Sequence, residues 1–171
     1  MLDIDIAAAA LRLTVGGIMI AHGRNHLFGP GGVEGTARWF GGVGLRPPRA
    51  HAWASGLLEM GAGAGLLLGL VTPLWSAAII GVCAVAGIAV HRANGFFVFK
   101  DGYEYVLALG VMAVAIAALG PGTWSLDHLL HIDPSGGWAA LGSLVAGLGG
   151  AAGMLAVCWR PSTAAKAPET V

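Results

Sequence analysis

The chain has 171 residues, 56% hydrophobic and 11% charged, with nine basic residues balanced by nine acidic ones and a mean hydropathy of +0.75. A soluble domain carries about a quarter charged residues, so a soluble fold is excluded and an integral membrane protein is expected. Zero net charge leaves no electrostatic footprint for a nucleic-acid partner.

Residues 1–5 read as a short tail. They carry Asp3 and Asp5 where a cleaved signal would carry Lys or Arg, so the first apolar run is expected to stay in the mature protein. A helix needs about 20 apolar residues to cross a bilayer. Five runs approach that length: about 6–22, interrupted by Arg12; 53–71, interrupted by Glu59; 74–91; 103–119; and 137–159. Between the first two runs, "GGVEGTARWFGGVGLRPP" places Val33, Ala37 and Phe40 at helical spacing, with Glu34 and Arg38 as an i,i+4 pair. It reads as an interfacial helix over about 33–41. Residues 160–171 read as a disordered tail. The expected fold is all-α: a polytopic membrane helical bundle (residues 6–159) with a four-helix core of two repeated hairpins and a fifth, peripheral C-terminal transmembrane helix.

Basic residues fix the expected orientation. Arg24, Arg38, Arg46, Arg49, Arg92, Lys100, Arg160 and Lys166 fall in alternate gaps between the runs, and only Arg12 lies inside one. This places a multi-pass protein with its N-terminus outside and its C-terminus in the cytoplasm. Gly61, Gly65 and Gly69, and again Gly142, Ala146 and Gly150, repeat at four-residue spacing and read as close-packing stripes. The second stripe faces either the bundle or another protein. Cys83 and Cys158 stand in apolar runs without C-x-x-C spacing and read as small buried hydrophobes.

Two helix ends share a polar signature. "AHGRNHLF" (Ala21 to Phe28) and "VHRANGFF" (Val90 to Phe97) both spell His-x-x-Asn-x-x-Phe, and each precedes a return helix carrying a glutamate, Glu59 or Glu104. Two hairpins of one design would be related by a pseudo-two-fold axis, with a binding site at their interface. The candidate ligand-binding residues are Arg12, His22, Glu59, His91, Asn94 and Glu104. Charges near the bilayer middle are tolerated when they meet, so Arg12 is expected to pair with Glu59. Glu104 also reads as a charge favoured at a helix N-terminus. Two imidazoles and two carboxylates at one level suit the carbonyls and protons of a quinone. They also have the donor chemistry for a metal, but no metal site is assigned. A b-type haem on His22 and His91 fits less well, since haem ligands sit deeper in a bundle. No covalent cofactor is evident. His26, His51, His128 and His131 read as surface loop residues.

The intramembrane arginine, "AHG", "GVEGTARWFGGVGL", "LLEMGAGAGLLLGLVTP" and "NGFF…GYEYVLALGVMAVAIAALGPGTWSLDHLL" together resemble the DoxX family of small bacterial membrane proteins over roughly Leu11 to Leu130. The chain departs from the family at Asn25 and His26, where a lysine often follows His-Gly, and in its fifth apolar run. The resemblance implies a four-helix core and a subunit of a quinone-linked oxidoreductase or redox-stress complex. Its partners would be the lipid bilayer and other protein subunits or further copies of itself. Two readings stay open: a ligand-binding oxidoreductase subunit whose electrons come from a partner, and a non-catalytic anchor that docks a larger complex. Catalytic residues are not assigned.

Overall fold

The computed structural model describes residues 2–132 and 134–161. Lys166 and most of the expected disordered tail lie outside the described residues. The described residues form seven α-helices in order: α1 (Leu2–Phe28), α2 (Gly32–Gly42), α3 (Pro48–Leu68), α4 (Thr72–Ala86), α5 (Glu104–Leu119), α6 (Leu126–Leu129) and α7 (Gly136–Cys158). A π-helical turn over Gly87–His91 and a 3-10 turn over Arg92–Asn94 prolong α4, and there is no β-strand among the described residues.

Local chemistry sets the helix ends. Asp3 and Asp5 lie in the first turn of α1, where the helix dipole favours negative charge. Pro48 opens α3 at a position that needs no N–H, and Gly69 closes it in the left-handed region at φ 61°. Among the described residues, three helices are long and apolar enough to cross a membrane: Leu2–Phe28, Thr72–Asn94 and Gly136–Cys158. The sequence pattern counts five. Of the other two, α5 is apolar but 16 residues long, and α3 carries Arg49, His51 and Glu59 among its 21 residues.

Helices α1 and α3 pack antiparallel at backbone contact. A Cβ on Gly63 would lie 2.5 Å from the Gly16 carbonyl oxygen, and one on Gly23 would lie 2.6 Å from that of Gly56. Dispersion between closely packed backbones holds such a pair where lipid is as apolar as the helices. The Gly61–Gly65–Gly69 stripe lies on another face. Gly65 makes room for the Trp75 indole of α4, and Gly69 for the Arg12 guanidinium. The α3–α4 hairpin is thus pinned at the end where its chain turns.

Helix α7 is built into the bundle and is not peripheral. Its buried stripe is Ser143, Gly147 and Ala151, one position beyond the stripe read from the sequence. Ser143 donates from Oγ to the Pro73 carbonyl at 2.9 Å, and a Cβ on Gly147 would meet the Ala77 oxygen at 2.6 Å. Residue numbers rise together along α4 and α7, so the two run parallel. A Cβ on Gly142 or Gly150 would meet nothing within 4 Å. The far end of α7 is tied to the α2–α3 connection: Trp159 donates from Nε1 to the Val43 carbonyl at 2.9 Å, beside a Leu45–Trp159 bridge.

In this arrangement Arg24, Arg38, Arg46, Arg49, Arg92, Lys100 and Arg160 share one end of the bundle. The opposite end holds Asp3, Asp5 and Asp127. Glu34 of α2 pairs with Arg49 of α3 at 2.9 Å rather than with Arg38, because the α2–α3 connection folds α3 back across α2.

Candidate functional site

A cavity of about 500 Å³ opens between α3 and α4, with α7 behind and α2 across one end. Its long walls are apolar, built by Leu58, Ala78, Val82, Val85, Ala146 and Met154. Polar groups gather where α2 closes it. The Glu59 side chain is buried and the Ser55 hydroxyl, one helical turn earlier, donates to its Oε1. His26 Nε2 lies 3.5 Å from the same oxygen.

Helix α2 positions His26. The imidazole stacks on Trp39 at 6.1 Å between centroids and tilts against Phe40 at 5.5 Å. Thr36 donates from Oγ1 to the His26 carbonyl at 2.8 Å. His51 lines the same end and donates from Nε2 to the Arg46 carbonyl at 3.1 Å. A carboxyl group and an imidazole in contact, with little water around them, can pass a proton to a polar group lodged beside them. The length of apolar wall would take a hydrocarbon tail.

The structure does not bring the six sequence-predicted residues together. Glu59 lines this cavity. Arg12 lies at the other end of the bundle, donating from Nη2 to the Trp124 carbonyl at 2.6 Å. The expected Arg12–Glu59 pair does not form, and helix register explains why. Gly23 faces Gly56, which sets Glu59 level with the stretch of α1 around Ile20, eight positions from Arg12 and roughly 12 Å along the axis. His22 lies exposed on α1, 6.0 Å from the Tyr105 ring.

His91, Asn94 and Glu104 shape the turn between α4 and α5. His91 Nδ1 and Asn94 Nδ2 donate to the Asp101 carbonyl at 2.8 and 3.2 Å, and Glu104 accepts from the Val98 N–H at 2.9 Å. The two matching signatures therefore do different work. The first stays inside the regular helix α1, whereas the second passes through a π turn and a 3-10 turn. No group of three or more His, Cys, Asp or Glu side chains among the described residues is placed to hold a metal.

Sequence reasoning missed His26, which it put in a loop. Helix α1 runs on to Phe28 and carries that side chain into the cavity. It also missed Asp127, buried in the α5–α7 connection. The Asp127 carboxylate accepts from the Val71 N–H at 2.7 Å and from the N–H and hydroxyl of Thr72, each at 3.0 Å.

The fold and the cavity define a helical membrane protein whose bundle encloses a mostly apolar cavity with one acid–imidazole end. The DoxX family model matches residues 7–92, half of the chain, from the first turns of α1 through the π turn after α4. The chain belongs to the DoxX family. No curated protein and no solved structure matches it. The matched segment carries His26, Ser55 and Glu59; Asp127, α5 and α7 lie beyond it.

Proposed function

We propose that this chain is the membrane subunit of a quinone-linked redox system, and that its cavity receives the quinone. The observation that carries this reading is the Glu59–His26 contact at the polar end of an apolar cavity of about 500 Å³. A quinone needs a hydrogen-bonding end for its carbonyls and an apolar channel for its isoprenoid tail. Reduction to the quinol takes two electrons and two protons. Glu59 and His26 are placed to deliver protons to the carbonyl oxygens, while a partner subunit with a two-electron carrier supplies the electrons. Membership of the DoxX family agrees with this role.

The orientation follows the charge distribution. Seven basic residues share the end that holds His26 and Glu59, so that end faces the cytoplasm, with the N-terminus outside. Helix α2, with Trp39 and Phe40 turned to the cavity, lies in the cytoplasmic interface as its cover.

Native mass spectrometry of protein extracted gently from its own membranes tests the assignment. A retained quinone that is lost in Glu59→Gln supports it. A retained partner protein with no small molecule, in both wild type and variant, overturns it and identifies an anchoring subunit.

A further inference from the structure

On the opposite face of α4 from this cavity runs a second groove of about 410 Å³. Its walls come from α4 (Ile80, Ile88), α5 (Val106, Val111) and α7 (Leu144, Leu148). Polarity enters at one end, where Arg92 and Tyr103 lie. Arg92 is held there from one side. Its guanidinium sits over the Trp159 ring, 5.7 Å from the centroid, and Trp159 is itself fixed by its hydrogen bond to Val43. No carboxylate pairs with Arg92 among the described residues. The stack fixes the cation through its face and leaves its N–H edge free for an anion.

We propose that this groove is a binding site for an anionic phospholipid, with an acyl chain along α4, α5 and α7 and the phosphate at Arg92. Charge and shape select this occupant together. A zwitterionic lipid would bring its own cation beside the guanidinium and weaken the match to its phosphate, and a soluble phosphate would leave the apolar walls unfilled. Arg92 also belongs to the basic end of the bundle, the level at which anionic headgroups of the cytoplasmic leaflet lie. The site is independent of the quinone reading, since the groove shares neither Glu59 nor His26.

The test uses the full chain in nanodiscs of equal phosphatidylglycerol and phosphatidylcholine with identical acyl chains, and counts retained lipids by native mass spectrometry. Wild type should retain phosphatidylglycerol in preference. Arg92→Gln should lower that preference about fivefold, the contribution of one basic residue near an anionic surface. Lys100→Gln, at the same end, should leave it unchanged. Gly110→Leu fills the groove, and its Cβ has no neighbour nearer than 3.8 Å, so the helix should fold as before. It should remove one retained lipid whatever the headgroup. Equal retention of the two lipids by wild type overturns the proposal. So does an equal loss in Lys100→Gln and Arg92→Gln, which would mean diffuse attraction, or full retention in Gly110→Leu.

Discussion

Asp127 holds Thr72 across 55 positions of sequence, its Oδ2 accepting from both the N–H and the hydroxyl at 3.0 Å. The contact caps α4 from outside its own segment. Residues before it need that support: Val71, a β-branched residue, sits in the left-handed region at φ 50°. Asp127 takes the Val71 N–H as well, and gives its own N–H to the Gly69 carbonyl at 2.9 Å. The α3–α4 hairpin is therefore locked by a residue from the α5–α7 connection.

Replacing Asp127 by Ala should destabilise the protein by about 3 kcal/mol, since it strands buried donors. Asp127→Asn keeps one carbonyl acceptor and should cost less. Thermal unfolding in detergent gives the order wild type, Asn, Ala. Equal melting of wild type and Asp127→Ala would mean the cap is dispensable.

Arg12 depends on the same residue. It is 3% exposed and within electrostatic reach of Asp127, and its Nε and Nη1 have no hydrogen-bond partner among the described residues. A buried guanidinium without counter-charge is costly. In a double-mutant cycle, Arg12→Met should cost less on the Asp127→Ala background than on wild type, with a coupling of about 1 kcal/mol or more. Strict additivity of the two melting shifts would show the sites to be independent.

The glycines separate packing from mere composition. Gly63→Ala must displace the Gly16 backbone, whereas Gly142→Ala enters open space. The first should lower the melting temperature clearly. The second should leave it unchanged or raise it slightly, because alanine is the better helix former. Comparable losses from both would move the helix contact to the other face of α7.

Much of the fold was legible because hydropathy and basic residues follow one-dimensional rules. The all-helical class and the long apolar segments follow from composition and run length alone. The site was less so, because it depends on register. Ending the first helix at His22 was an error of length: nothing in "GRNHLF" breaks a helix before Gly29 and Pro30. Continuing it to Phe28 would have set His26 on the same helix one turn beyond His22. The Arg12–Glu59 pairing failed for a related reason, since depth was counted from that false helix end. Asp127 gave no signal beyond a short polar loop, because its partners are backbone N–H groups 55 and 56 positions away. The His-x-x-Asn-x-x-Phe repeat was real as sequence but not as geometry. Its second copy is spent on the Asp101 carbonyl.

Orientation can be read by labelling. In a background lacking Cys83 and Cys158, Lys100→Cys should resist a membrane-impermeant maleimide in intact cells and react after lysis. Leu130→Cys, exposed in the α5–α7 connection, should react in intact cells. The reverse pattern would put the Glu59 end of the cavity outside, and protons for a quinone would then come from the other compartment.

Shape and chemistry at the cavity are separable by two substitutions. Gly150 lines the apolar wall, and its Cβ would meet nothing within 4 Å, so Gly150→Leu should fold normally while occupying tail space. Glu59→Gln keeps the volume and the Ser55 hydrogen bond but removes the acid. Filling the wall should weaken quinone retention in proportion to tail length, so that a short-tailed analogue is least affected. Changing the acid should weaken retention of long- and short-tailed quinones alike. If Gly150→Leu spares long-tailed quinones, the tail does not lie between α4 and α7, and the cavity is then a headgroup site only.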